Sequence, residues 1–186
     1  MNTAVMLSIR PKWVEKIASG EKTIEVRKTR PKLETPFKCY IYCTIGGQDL
    51  NIPISQERLM RDYLETGSMK SLNCPLGNGK VIGEFTCNRI YELAPLNHAP
   101  DDVEKQACLT REEIVRYLKG VGYGWHISDL VIYDEPKELI EFHTWKKCKS
   151  CSKSGYESTA CIYDENCMVP VAITKAPQSW CYVQEG

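Results

Sequence analysis

Strand-like runs recur along the whole of this chain, and that recurrence most narrows what it can fold into. VMLSI (5–9), FKCYIYCT (37–44), KVIGEFTCNRIYEL (80–93), GWHISDLVIY (124–133) and WCYVQ (180–184) are rich in β-branched and aromatic residues, and few helical stretches separate them. A doubly wound sheet needs a helix after nearly every strand. Many strands with few helices instead predict an α+β fold built on a small, partly open barrel. With 186 residues the chain suffices for one domain with a proper core and a small appendage.

The local signals agree. Pro11 stands where a helix starts without losing a needed N–H, Trp13, Val14, Ile17 and Ala18 recur at helical spacing, and Gly20 is placed to end that helix in a left-handed conformation. In LTREEIVRYL, Thr110 and Glu113 have the spacing of a capping box, with Leu109 and Ile114 as its hydrophobic staple. Gly83 is a candidate bulge. Residues 46–79 form a polar insertion with an amphipathic helix expected around Gln56 to Leu64. The expected organisation is a barrel over 1–145 that includes this insertion, a cysteine-rich segment over 146–179, and a closing strand over 180–186.

Composition excludes some classes. Charged residues make up 26% and hydrophobic ones 42%, which argues for a globular chain over a disordered one. No run approaches the ~20 apolar residues of a membrane span, and the N-terminus lacks an export signal, so a cytoplasmic location is expected. The formal charge of zero removes the usual cue for nucleic-acid binding, although a local basic patch can survive inside a neutral total.

Against that background GEKTIEVRK (20–28) stands out, with five charged side chains in nine positions and an alternation of Ile24 and Val26 that implies one buried face. As a strand it puts Thr23, Glu25 and Arg27 on the opposite face, with Lys22 at the turn before them. Side chains on one face stand roughly 6 to 7 Å apart at their bases, so Glu25 and Arg27 can pair directly or through a bound molecule. The simpler alternative is a solvated face with weak ion pairs.

Gly20, Lys22, Glu25 and Arg27 reproduce the G-x-K-x-x-E-x-R motif of the ASCH domain, a member of the PUA-like barrel superfamily, between a first helix and a second strand. LSIRPKWVEKIASG resembles the opening strand and helix of that family. KVIGEFTCNRI and YGWHISDLVIYDEPKEL are similar to the later strands of small ASCH proteins, including those of phages and prophages. The likeness covers roughly residues 4–143 and the closing PQSWCYV. It implies a cleft that binds RNA or a nucleotide. There Lys22 offers a point charge and Arg27 a planar fork to phosphate or a base carbonyl, and Glu25 accepts from an exocyclic amine. Trp125, Tyr123 and Trp180 are candidates for an aromatic wall and His126 for a cleft-lining residue, each with barrel core as the alternative.

Some small relatives are amidohydrolases that deacylate a modified cytidine with a lysine, a threonine and a glutamate. Lys22 matches their lysine, but Glu25 stands where the threonine is expected, and Thr23 is one residue off. Hydrolysis here would need Glu25 to activate water while Lys22 stabilises the oxyanion. The relatives' glutamate has no clear counterpart, Glu104 being near only in order. A phage-like module that grips a protein is a third reading.

Several further motifs bear on chemistry. GNGK (77–80) lacks the glycine spacing and the following Ser or Thr of a phosphate loop and is read as a turn. Ser179 has no G-x-S-x-G context. His98, His126 and His143 have no strong ligand spacing, although His143 could replace a cysteine on a metal. Cys39, Cys43 and Cys87 fall in strand runs as small hydrophobes. Cys148, Cys151, Cys161 and Cys167 form C-x2-C-x9-C-x5-C, a set able to close a tetrahedral structural zinc site, with free thiols or disulfides as the alternatives. On the zinc reading, elemental analysis of purified protein finds about one zinc per chain, and Cys148→Ser or Cys161→Ser releases it. Metal-free protein with all four thiols titratable contradicts it.

Overall fold

A computed structural model describes residues 3–46, 52–53, 60–61, 63–65, 67, 73–74, 78–93, 99–148 and 168–184. Its centre is a six-stranded mixed sheet made of β1 (Thr3–Ile9), β2 (Ile24–Arg27), β3 (Phe37–Cys43), β6 (Val81–Glu92), β7 (Tyr123–Lys137) and β10 (Trp180–Gln184). Two two-stranded ladders are not hydrogen-bonded into it, β4 (Ile52–Pro53) with β5 (Asn73–Cys74) and β8 (His143–Lys147) with β9 (Met168–Ala172). The order across the large sheet is β10-β1-β3-β6-β7-β2; β1 and β3 run parallel and every other neighbour pair antiparallel. The result is a curled α+β half-barrel whose edge strands, β10 and β2, share no ladder.

Among the described residues three helices serve this sheet: α1 (Pro11–Ala18), α2 (Val103–Ala107) and α3 (Arg111–Leu118). Pro11 opens α1, and Gly20 follows it at φ +78°, the left-handed region expected there. The Thr110 and Glu113 capping box of α3 is formed on both sides, and Leu109 packs on the cluster that contains Ile114. Periodicity gives no sign of α2, which holds five residues, too few for a helical period to show. The β8 and β9 ladder is equally silent in the sequence: exposed lysines end the first strand, and Pro170 argues locally against the second.

Both faces of β1 and β3 are buried, Ala4, Met6, Tyr40 and Tyr42 packing with Phe142 and Ile173 on one side and the larger cluster lying on the other. Val5, Leu7, Phe37, Ile41, Phe85 and Trp125 meet there with Val14 and Ile17 of α1. Phe37 packs edge-on against Trp125 at 5.8 Å between ring centroids. A third cluster joins β2 to the later helices, with Ile24 and Val26 against Val103, Ala107, Ile114 and Leu118. The expected apolar face of β2 is therefore buried. Its charged face is buried too, since every residue of the strand is.

Cys39, Cys43 and Cys87 are fully buried. Burial pushes the Cys43 and Cys87 thiols up to about 12 and Cys39 well above its ordinary value, so all three stay neutral thiols near pH 7. In the unfolded chain they ionise near pH 9, so the stability they confer is complete below that pH and drains away as pH rises from about 9 towards 12. Iodoacetamide at pH 8 is expected to label partly exposed Cys108 well before these three, as read by peptide mass mapping; equal rates would contradict the burial.

Register shifts flank Gly83, the expected bulge, on the β7 side of β6. A Cβ added at Gly83 would meet the Val131 carbonyl oxygen at 2.4 Å, a backbone atom that cannot rotate away. Gly83→Ala should therefore cost about 1–3 kcal/mol and lower the melting temperature. An unchanged melting curve would show that the two strands do not approach this closely.

Candidate functional site

Lys22, Glu25 and Arg27 come together at the floor of a cleft, and all three are buried, at 2%, 7% and 6% exposure. The turn after α1 sets Lys22, whose backbone N–H donates to the Lys16 carbonyl at 2.8 Å. Pairing of β2 with β7 places Glu25 opposite Trp125 and Arg27 opposite Tyr123. The two Glu25 oxygens are divided between the cations: Oε1 lies 3.0 Å from Arg27 Nη2, and Oε2 lies 3.4 Å from Lys22 Nζ. Two positive groups and one negative group leave this sheltered cluster with a surplus of one positive charge.

The two cations have different employment. Arg27 Nη2 donates to the Ser8 carbonyl at 2.9 Å, and Nη1 donates to both the carbonyl and the hydroxyl of Ser179 at 3.2 Å. Those contacts and Glu25 take up both terminal nitrogens, so the fork expected for a ligand is committed to the protein. Ser8 belongs to β1, and Ser179 immediately precedes β10. Arg27 therefore bridges the seam that the sheet's hydrogen bonds leave open, and Trp180 Nε1 adds a bond across it to Thr29 Oγ1 at 3.0 Å. Lys22 Nζ donates to the Ala107 carbonyl at 2.7 Å and stands 5.2 Å from the centroid of the Trp13 ring. With three N–H groups, one given to Ala107 and one facing Glu25, it keeps a donor for the cleft.

The cleft has a volume of about 790 Å³, within the range of small-ligand sites. Trp13 of α1, Tyr42 of β3 and Tyr117 of α3 supply aromatic wall, and Arg10, Thr44 and Gln178 supply polar groups. Sequence reasoning missed this wall: Trp13 reads as a helix's core residue, and Tyr117 gives no signal beyond its place in an amphipathic helix.

The other expected site residues lie elsewhere. Trp125 is completely buried in the core against Phe37 and Trp180, so its ring has no open face to offer a base. His126, paired across the ladder with Ile24, bonds Asn88 through Nδ1 at 2.8 Å. Thr23 contacts the Gln106 side-chain oxygen through Oγ1 at 3.3 Å. Tyr123 packs against the core below Arg30, and Trp180 packs against Tyr182. Glu104 accepts from the Arg111 backbone N–H between α2 and α3. His143 pairs with Ala172 at the start of β8. Cys148 follows β8, whereas Cys151, Cys161, Cys167 and His98 lie outside the described residues.

Comparison with known proteins finds a likeness over the same part of the chain. The ASCH domain family model matches residues 7–43, the stretch from β1 to the end of β3 that carries Lys22, Glu25 and Arg27. Over that segment the chain is similar to ASCH domains. Among solved structures, the crystal structure of ASCH from Zymomonas mobilis is similar, with a TM-score of 0.47 and 17% identity over 73% of this chain and 73% of that one. A mutant form of the same protein gives 0.47 and 16%, over 73% and 76%. No curated protein matches the chain.

A carboxylate buried between two cations predicts a large cost for its removal. Glu25→Ala leaves Lys22 and Arg27 buried without their counter-charge and should destabilise the fold by about 3–5 kcal/mol in urea denaturation. A loss under about 1 kcal/mol would mean that the cluster is solvated and the geometry wrong.

Proposed function

We propose that this chain binds RNA or a nucleotide in the cleft above Lys22, Glu25 and Arg27. The observation that carries the reading is the surplus positive charge of a buried ionic cluster facing a hollow with aromatic walls. Such a floor attracts an anion, and Lys22 has a donor for a phosphate or base oxygen. Trp13 and Tyr117 give a base apolar surface, and stacking of that kind is worth about 1 to 3 kcal/mol for any base. The match of residues 7–43 to the ASCH domain model supports the same reading.

The geometry favours binding over deacylation of a modified nucleoside. Thr23, the hydroxyl next to Lys22 in sequence, contacts Gln106, and each oxygen of Glu25 already faces a cation. Neither group is poised as a nucleophile or a base.

Equilibrium titration of the protein with a nucleoside monophosphate and with a short RNA tests the proposal. Lys22→Met, which keeps the side-chain bulk and removes the charge, should weaken both by roughly 10- to 100-fold, the worth of a hydrogen bond to a charged group. Affinity should also fall as salt rises. Unchanged affinity in a folded Lys22→Met variant would remove Lys22 from the site. Steady turnover of an acylated cytidine, abolished in that variant, would favour the hydrolytic reading instead.

A further inference from the structure

A local surplus of positive charge falls around the cleft and along the segment that leaves it. Between Arg10 and Lys32 stand eight Lys or Arg and three Glu, although the whole chain sums to zero. Lys28, Arg30 and Lys32 follow Arg27 directly and are exposed. Two of them sit on aromatic rings, Lys28 Nζ at 5.3 Å from the Tyr117 centroid and Arg30 Cζ at 5.8 Å from that of Tyr123. Tyr117 belongs to the cleft wall, so Lys28 stands at the cleft's margin, and Tyr123 is the ladder partner of Arg27.

This segment is also held in place and hollowed. The Lys32 backbone N–H donates to Tyr182 Oη at 2.7 Å, and Thr29 accepts from Trp180. A second hollow of about 510 Å³ lies between residues 30–35 and Ile90, with Glu34 as its acidic member. Arg27 lines the first hollow and Arg30 the second, and the two residues are three positions, at most about 11 Å of chain, apart. Cations interleaved with rings beside a base-sized cleft form the surface that tracks a single-stranded backbone. A fixed segment also has less ordering entropy to lose on binding.

We infer that Lys28, Arg30 and Lys32 form a phosphate track, and that the cleft's ligand is a single-stranded oligonucleotide extending over it, not a free nucleotide. The inference rests on the nucleotide-binding reading of the cleft. Fluorescence titration of the full chain with uridine monophosphate and with oligouridylates of four, eight and twelve residues tests it.

Affinity should rise at least about 30-fold from the monomer to the eight-residue oligomer. The exposed double substitution Arg30→Gln with Lys32→Gln should abolish most of that gain and lower the salt slope by about 1.4, or ~0.7 for each phosphate left without its cation. It should leave monophosphate binding unchanged, and a matching melting temperature confirms the fold. Monophosphate binding with no gain for oligomers, or a gain that the variant keeps, overturns the track and leaves the cleft reading standing. Binding of neither ligand overturns both. Polyglutamate held as tightly as the oligomer would show a general polyanion surface and also overturns the assignment.

Discussion

Arg27 is the residue on which the rest of the architecture depends. The sheet curls far enough to bring its two edges near one another but not far enough for their backbones to pair, so something other than a ladder must join them. One guanidinium does so, reaching Ser8 in β1, Ser179 before β10 and Glu25 on its own strand. A buried cation is tolerable only if it is paired and hydrogen-bonded, and Arg27 has three kinds of acceptor around it. The seam and the ionic cluster are thus one construction, and disturbing the pairing also loosens the barrel edge.

That construction divides the motif's labour. Arg27 ties strands together, Glu25 neutralises it and turns its second oxygen to Lys22, and Lys22 is left with a donor in a hollow that carries one unbalanced positive charge. The hollow takes its walls from elements far apart in sequence, α1, β3 and α3. Because α2 supplies the Ala107 carbonyl that holds Lys22, and packs with α3 on the apolar side of β2, the helices that shelter the strand also orient the ammonium group.

Much of this could be read from the chain because it is encoded locally. Strand runs, the proline that opens α1, the Thr110 capping box and the grouping of Glu25 with Arg27 each depend on residues a few positions apart. What escaped is non-local. Ser179 lies 152 residues from Arg27, and nothing in PQSWCY announces that its carbonyl and hydroxyl accept from a guanidinium. The charged face of β2 reads as solvent-exposed or cleft-facing by alternation alone; α2 and α3 cover Ile24 and Val26, whereas Arg27 on the other face is buried against Ser8 and Ser179, residues far from it in sequence. Trp125 draws attention as a stacking platform because aromatic residues near a motif suit one, yet the ring is needed to fill the barrel against Phe37.

The most direct test of the central claim is a proton–nitrogen NMR titration with a nucleoside monophosphate that follows the tryptophan indole and lysine ammonium signals. The account predicts that the Trp13 indole and the Lys22 ammonium shift together and saturate at one ligand concentration, while the Trp125 indole stays still. Saturable shifts confined to Trp125, Trp180 or Trp145 of β8, with Trp13 and Lys22 unmoved, would contradict it.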